Sequence, residues 1–391
     1  MLNHRQHLSS LDGIRGVAIL MVFCHHLCPF DGRNPIAIVC STLWLGVDLF
    51  FVLSGFLITG VLYDTLQQPG FFRKFYARRG LRLAPVYLAV VAGILIASSV
   101  LGDRLTVWTL PYFVYASNII RDLGLPDGLA ANLDASHFWS LAVEEQFYLL
   151  WPLAIFFART RSRILGLCLA GSLMSVVLRF LAVGHAGHFF LGTPYFELPM
   201  RMDSLLLGGA LAMLMRSESL KELLTSPRLN AVFIVGLIAV TVTFGVAGHG
   251  SMFAPAVVRY GYFAAALTFA ALLGITVQPG SWATRLGKVP VLRAFGRCSY
   301  GLYLIHLIPR HWYFELLRSA KVHCQNAWQY DLAAGGVFFA YLGLCFGVAM
   351  LSFVTLESYF LRMKINFRYS DEKRSIPRQA PVLATPVLSL Q

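Results

Sequence analysis

Ten runs of mostly apolar residues punctuate this chain, at about 14–30, 43–62, 82–101, 138–158, 164–184, 199–215, 230–248, 257–276, 297–315 and 332–356. A helix rises about 1.5 Å per residue and the hydrocarbon of a bilayer is roughly 30 Å thick, so ~17–25 such residues cross it. Backbone N–H and C=O groups find no partner in lipid, and a helix satisfies them within one segment. The pattern predicts an all-α polytopic membrane protein of about ten transmembrane helices.

Charge sets the expected orientation. With the N-terminus inside, 20 of the 32 Lys and Arg fall in the segments expected on the cytoplasmic side, five outside and seven within the runs. Cytoplasmic loops hold the excess of positive residues, which predicts both termini in the cytoplasm. Only 13% of residues are charged against 57% hydrophobic. A net charge of +13 would suggest nucleic acid in a soluble chain, but no groove-reading motif or zinc-finger spacing accompanies it. Membrane lipids are the expected surroundings, and no nucleic-acid partner is expected. Residues 1–360 read as one transmembrane domain, and 361–391 as a basic, proline-bearing, disordered cytoplasmic tail. The seven cysteines are scattered through apolar runs, which argues against a disulfide scaffold.

Ionisable residues inside apolar helices are costly and need a reason. The first run carries Asp12 and Arg15 at one end and MVFCHHLCPF, with His25 and His26, at the other. Arg15 and His26 are eleven residues apart, which puts them within about 20° on one helix face and about 16 Å apart in rise. His25 points about 100° away. A structural metal would need four converging ligands, which this divergent His/Cys cluster does not supply, so no metal is expected.

By depth, His26 falls level with Asp48 of WLGVDLFFVLSGFLITG, Glu144 of HFWSLAVEEQFYLLWP, and Asp203. A histidine among carboxylates makes an acid–base centre, and a carboxylate on one ring nitrogen fixes the tautomer of the other. Asp48 and Asp203 can equally pair with Arg201. At the opposite depth, FYARRGLRLAP sets Arg79 and Arg82 on one face, spaced to grip phosphate and joined there by Arg15. The alternative for these arginines is anchoring at the interface. Tyr300, Tyr303 and His306 repeat every third residue, lining a donor channel or bonding between helices.

Taken in order, LDGIRGVAILMVFCHH, WLGVDLFFVLSGFLIT, FYARRGLRLAPVY, HFWSLAVEEQFYLLWP, RMDSLLLGG and CSYGLYLIH resemble the acyltransferase-3 family of integral-membrane acyltransferases. The resemblance covers roughly residues 8 to 360. It implies an O-acyltransferase that moves an acyl group, acetyl above all, from cytoplasmic acyl-coenzyme A to a hydroxyl. The acceptor it implies is a sugar of a cell-surface or exported polysaccharide or glycolipid. The setting it implies is the bacterial inner membrane, alongside polysaccharide-synthesis proteins. Arg15 and His26 match the family's Arg-x10-His pair, His26 being the catalytic histidine, with Glu144 as its partner acid; Arg79 and Arg82 match the pair that holds the donor phosphates. The depth reading adds Asp48 as a further acid, the basic vestibule adds Arg15 to the donor site, and the tyrosine ladder adds Tyr303. His25 lies outside the family pattern and inherits no role. From the residues alone, the competing reading is a proton-coupled transporter or flippase of a lipid-linked sugar, with the same acids and histidine as its relay.

Overall fold

The computed structural model describes residues 9–30, 34–101, 107–123, 133–184, 195–248 and 250–369. The tail expected from 361 begins as helix, Ser358–Met363 and Lys364–Phe367, rather than as disordered chain, and from 370 onward it lies outside the described residues. Helix follows helix, with no strand among the described residues. The long helices are α1 (Ser9–Leu27), α2 (Gly46–Thr65), α3 (Phe71–Val100), α4 (Phe138–Ala158), α5 (Arg161–Gly184), α6 (Leu198–Met215), α7 (Ser226–Ala247) and α8 (Tyr262–Thr276). After a short helix at Trp282–Gly287 come α9 (Pro290–Arg297), α10 (Ser299–Ile305) and α11 (Arg310–His323), before the last long one, α12 (Ala327–Ser352).

Among the described residues nine helical stretches, rather than the ten expected, are long and apolar enough to cross a membrane. The difference is the run at 297–315. It breaks at Cys298, and again at 306–309 between α10 and α11. Pro309 biases Ile308 away from helical geometry, which stops α10 there. Apolar content carries no trace of such a break; the proline does.

The core of the bundle is α1, α2 and α6, with α9 laid along α1. Small residues let these backbones approach. A Cβ on Gly55 of α2 would stand 1.7 Å from the Leu205 carbonyl oxygen of α6, and one on Gly208 would stand 2.1 Å from that of Val52. The periphery is apolar and exposed, as at Val246 of α7 (75%) and Phe339 of α12 (70%). Such a surface is stable against lipid and would aggregate in water.

Candidate active site

The break after α10 shapes the site. A helix leaves its last four carbonyls without intrahelical partners, and here those belong to Leu302, Tyr303, Leu304 and Ile305. The backbone N–H groups of His306 and Ile308 take Leu302 and Ile305 at 3.1 and 3.2 Å. The other two are capped by imidazoles. His306 Nδ1 lies 2.7 Å from the Tyr303 carbonyl oxygen, and His137 Nε2 lies 3.3 Å from that of Leu304.

A carbonyl only accepts, so each of these ring nitrogens carries its proton. In a neutral imidazole the other nitrogen is then an acceptor. For His306 that acceptor is Nε2, which lies 2.9 Å from His26 Nδ1. His26 therefore donates from Nδ1, and its Nε2 is left with a lone pair. One helix end thus dictates the tautomer of a histidine on another helix.

These rings wall a cavity of about 250 Å³ lined by His25, His26, His137, Tyr303, Trp44 and Trp139 among others. Arg310, at its rim, is held by Asp134 at 3.0 Å. Asp134 also donates its backbone N–H to the Ile308 carbonyl at 3.1 Å, tying the loop before α4 to the break. The Tyr303 and Ser140 hydroxyls meet at 2.5 Å, pinning α10 to the first turn of α4. His25 lies 3.1 Å from the Cys40 carbonyl oxygen through Nδ1. Its ring still reaches the cavity wall, although helical spacing turned it away.

A second polar cluster gathers toward the other end of α1. Glu144 accepts from the Ser54 and Tyr148 hydroxyls and from Arg79 Nη2 at 3.3 Å. The Arg79 guanidinium lies over the Tyr148 ring, 3.7 Å from its centroid. Its Nε is buried without a hydrogen-bond partner, the nearest acid being Glu145 at 3.8 Å. Arg82 stands close enough to Arg15 and Arg79 to repel both, and no ion pair to Arg82 forms among the described residues. Arg15 reaches Asp12 at 3.4 Å. Asp12, Glu144 and Glu145 answer Arg15 and Arg79, so Arg82 is the cation of the cluster left without an ion-pair acid among the described residues, and that suits an anionic ligand.

The residues expected from sequence therefore divide. His26 and Tyr303 line the cavity, while Arg15, Arg79, Arg82 and Glu144 form the second cluster. Glu144 does not orient His26. It lies seven residues beyond His137 on α4, about 10 Å along the helix axis, and its oxygen is occupied by Arg79, Ser54 and Tyr148. Asp48 departs furthest from the acid–base centre. It accepts from Arg201 at 2.9 Å and Ser204 at 2.8 Å, and both ion-pair partners have fully buried side chains. Arg201 in turn packs on the Tyr195 and Tyr262 rings at 4.9 and 4.2 Å. Asp203 pairs with Arg179 at 2.6 Å, again fully buried. Equal depth did not mean contact, because depth says nothing of direction around the bundle.

Breaking a buried ion pair from one side strands the other charge, at a cost of about 3–5 kcal/mol. Asp48→Ala is thus expected to lower the thermal stability of the detergent-solubilised protein, with turnover falling only in step with the folded fraction. Near-parental stability with turnover abolished would return Asp48 to the acid–base centre.

Sequence reasoning placed His306 in a ladder with Tyr300 and Tyr303 but not as the partner of His26, and it missed His137. The signals were present. Pro309 follows His306 by three residues, and His137 sits immediately before the α4 apolar run.

A family model described as an acyltransferase domain matches residues 8–356. The peptidoglycan O-acetyltransferase OatA of Listeria monocytogenes serovar 1/2a is 28% identical over 325 residues, covering 77% of this chain and 49% of that protein. The putative peptidoglycan O-acetyltransferase YrhL of Bacillus subtilis is 30% identical over 323 residues, covering 78% and 48%. The O-acetyltransferase OatA of Staphylococcus aureus is 30% identical over 320 residues, covering 77% and 50%. The chain spans about half the length of these curated relatives. No solved structure matches it.

Proposed function

Because the chain belongs to this acyltransferase family, we propose that it is a membrane-embedded O-acetyltransferase, taking acetyl from acetyl-coenzyme A and delivering it to a sugar hydroxyl of a cell-surface glycan. The carrying observation is His26 on the wall of a cavity, its Nδ1 bonded to His306 so that the ring's lone pair falls on Nε2. The names of the relatives, which act on peptidoglycan or are O-acetyltransferases, support acetyl as the group and a wall glycan as the acceptor. The Lys and Arg bias supports an orientation with the donor side cytoplasmic, and the bacterial relatives support a bacterial cytoplasmic membrane as the setting.

In this reading the donor phosphates rest on Arg82, Arg79 and Arg15, and the thioester reaches toward His26 along the face of α1. His26 Nε2 removes the proton of the acceptor hydroxyl as its oxygen attacks the thioester carbonyl. The His26 imidazolium stays bonded to His306 Nε2, which spreads the charge into the α10 carbonyls. Collapse of the tetrahedral intermediate breaks the C–S bond. The proton on His26 Nε2 then passes to the departing thiolate, which restores the base and releases free coenzyme A and the acetyl ester. Glu144 holds Arg79 in place and takes no proton.

Membranes carrying the chain, given acetyl-labelled coenzyme A and glycan from cells lacking the gene, are expected to label the glycan and release thiol together. Thiol release without glycan labelling counts against the acceptor, and neither against the reading as a whole. In the same assay Arg82→Gln is expected to raise the KM for acetyl-coenzyme A about tenfold or more. The loss of one charge-assisted phosphate bond is worth about 1.5–3 kcal/mol. The KM for glycan should not move; an unchanged donor KM would leave Arg82 as an interfacial anchor.

A further inference from the structure

His137 holds an unmade hydrogen bond at the wall of the cavity. Its Nε2–H is committed to the Leu304 carbonyl, so Nδ1 is an acceptor. The residue is 2% exposed, yet Nδ1 is buried with no partner, and the ring lines the same cavity as His26. A buried acceptor left unsatisfied carries the full cost of its lost hydration, and such sites in native proteins are expected to be filled. The His137 and His26 rings stand 6.3 Å apart between centroids. Rings this close leave no room for a third between them, but a sugar held in the cavity that both line can reach the two through different groups. The indoles of Trp44 and Trp139 on the wall suit the apolar side of a sugar.

We propose that His137 Nδ1 selects the acceptor by accepting a hydrogen bond from a second donor on the same sugar, a hydroxyl or amide N–H other than the group acylated. This rests on the acyl-transfer reading and deepens it. The acceptor is a sugar with at least two hydrogen-bond donors held at once, and a simple alcohol is a poor substitute. His26 acts on the reacting hydroxyl, while His137 fixes which hydroxyl that is. Loss of the second bond leaves the chemistry intact and weakens only acceptor binding.

Two substitutions separate this from a structural role. His137→Gln keeps a donor at reach of the Leu304 carbonyl and removes the Nδ1 acceptor. His137→Asn places an amide oxygen near the Nδ1 position and gives up the bond to Leu304. Using the full chain in membranes, with labelled acetyl-coenzyme A and glycan from cells lacking the gene, His137→Gln is expected to raise the KM for glycan about tenfold, the equivalent of ~1.4 kcal/mol. The KM for acetyl-coenzyme A should stay at the parental value. His137→Asn should recover part of the glycan affinity. A parental glycan KM in His137→Gln overturns the proposal, as does a donor KM that rises with it. No labelling by the parent chain itself fails the acyl-transfer reading instead, so the two failures are told apart.

Discussion

A His26→Ala chain should insert and fold like the parent yet transfer acetyl groups some 10²–10⁴ times more slowly, the usual contribution of a positioned general base. The fall belongs in kcat, with the KM for acetyl-coenzyme A near the parental value, because no donor phosphate site is touched. Folding should survive because the substitution removes one ring from the wall of a cavity that is already open, and among the described residues His26 makes a single hydrogen bond, to His306. Thermal unfolding in detergent, measured beside initial rates, separates the two effects. Activity within a few fold of the parent would remove His26 from the chemistry.

The second large effect is expected at His306, which need not touch substrate at all. It is a positioning residue whose Nε2 obliges His26 to hold its proton on Nδ1. With that acceptor gone, His26 is free to adopt the opposite tautomer and present an N–H where a lone pair is needed. In a serine protease triad a wrong tautomer of this kind lowers kcat about 10⁴-fold, and a loss of at least 10² is expected for His306→Phe. His306→Gln offers a side-chain oxygen within reach of His26 Nδ1 and should restore part of the rate. A merely structural role would not distinguish the two, since both variants lose the imidazole cap on the Tyr303 carbonyl. Equal rates for Phe and Gln, with equal stability, would remove the tautomer argument.

The parts of this architecture legible in the sequence are those that local pattern determines. Helix α4 runs from Phe138 to Ala158, as its apolar run indicates, because lipid requires a helix and the flanking polar residues end it. The shared face of Arg15 and His26 follows from helical period alone, and the helix carries each to a different polar cluster. What the sequence does not yield is rotation and pairing. Asp48 and Glu144 lie at plausible depths, but Arg201 and Arg79 claim them, and which helix faces which is a property of the packed bundle. The partner of His26 lies 280 residues away, beyond a break that apolar content cannot register. The histidines at 137 and 306 acquire their roles only because a short helix ends between them and hands its carbonyls to both.

The central claim is that acetyl passes from coenzyme A to a glycan hydroxyl at His26. The most direct measurement uses proteoliposomes of the purified chain, acetyl-labelled coenzyme A, and glycan from cells lacking the gene. Free thiol and labelled glycan are counted together. The parent chain is expected to yield them one for one, and His26→Ala to yield neither above background. Equal labelling by His26→Ala, or glycan crossing the membrane with no label gained, would contradict the account.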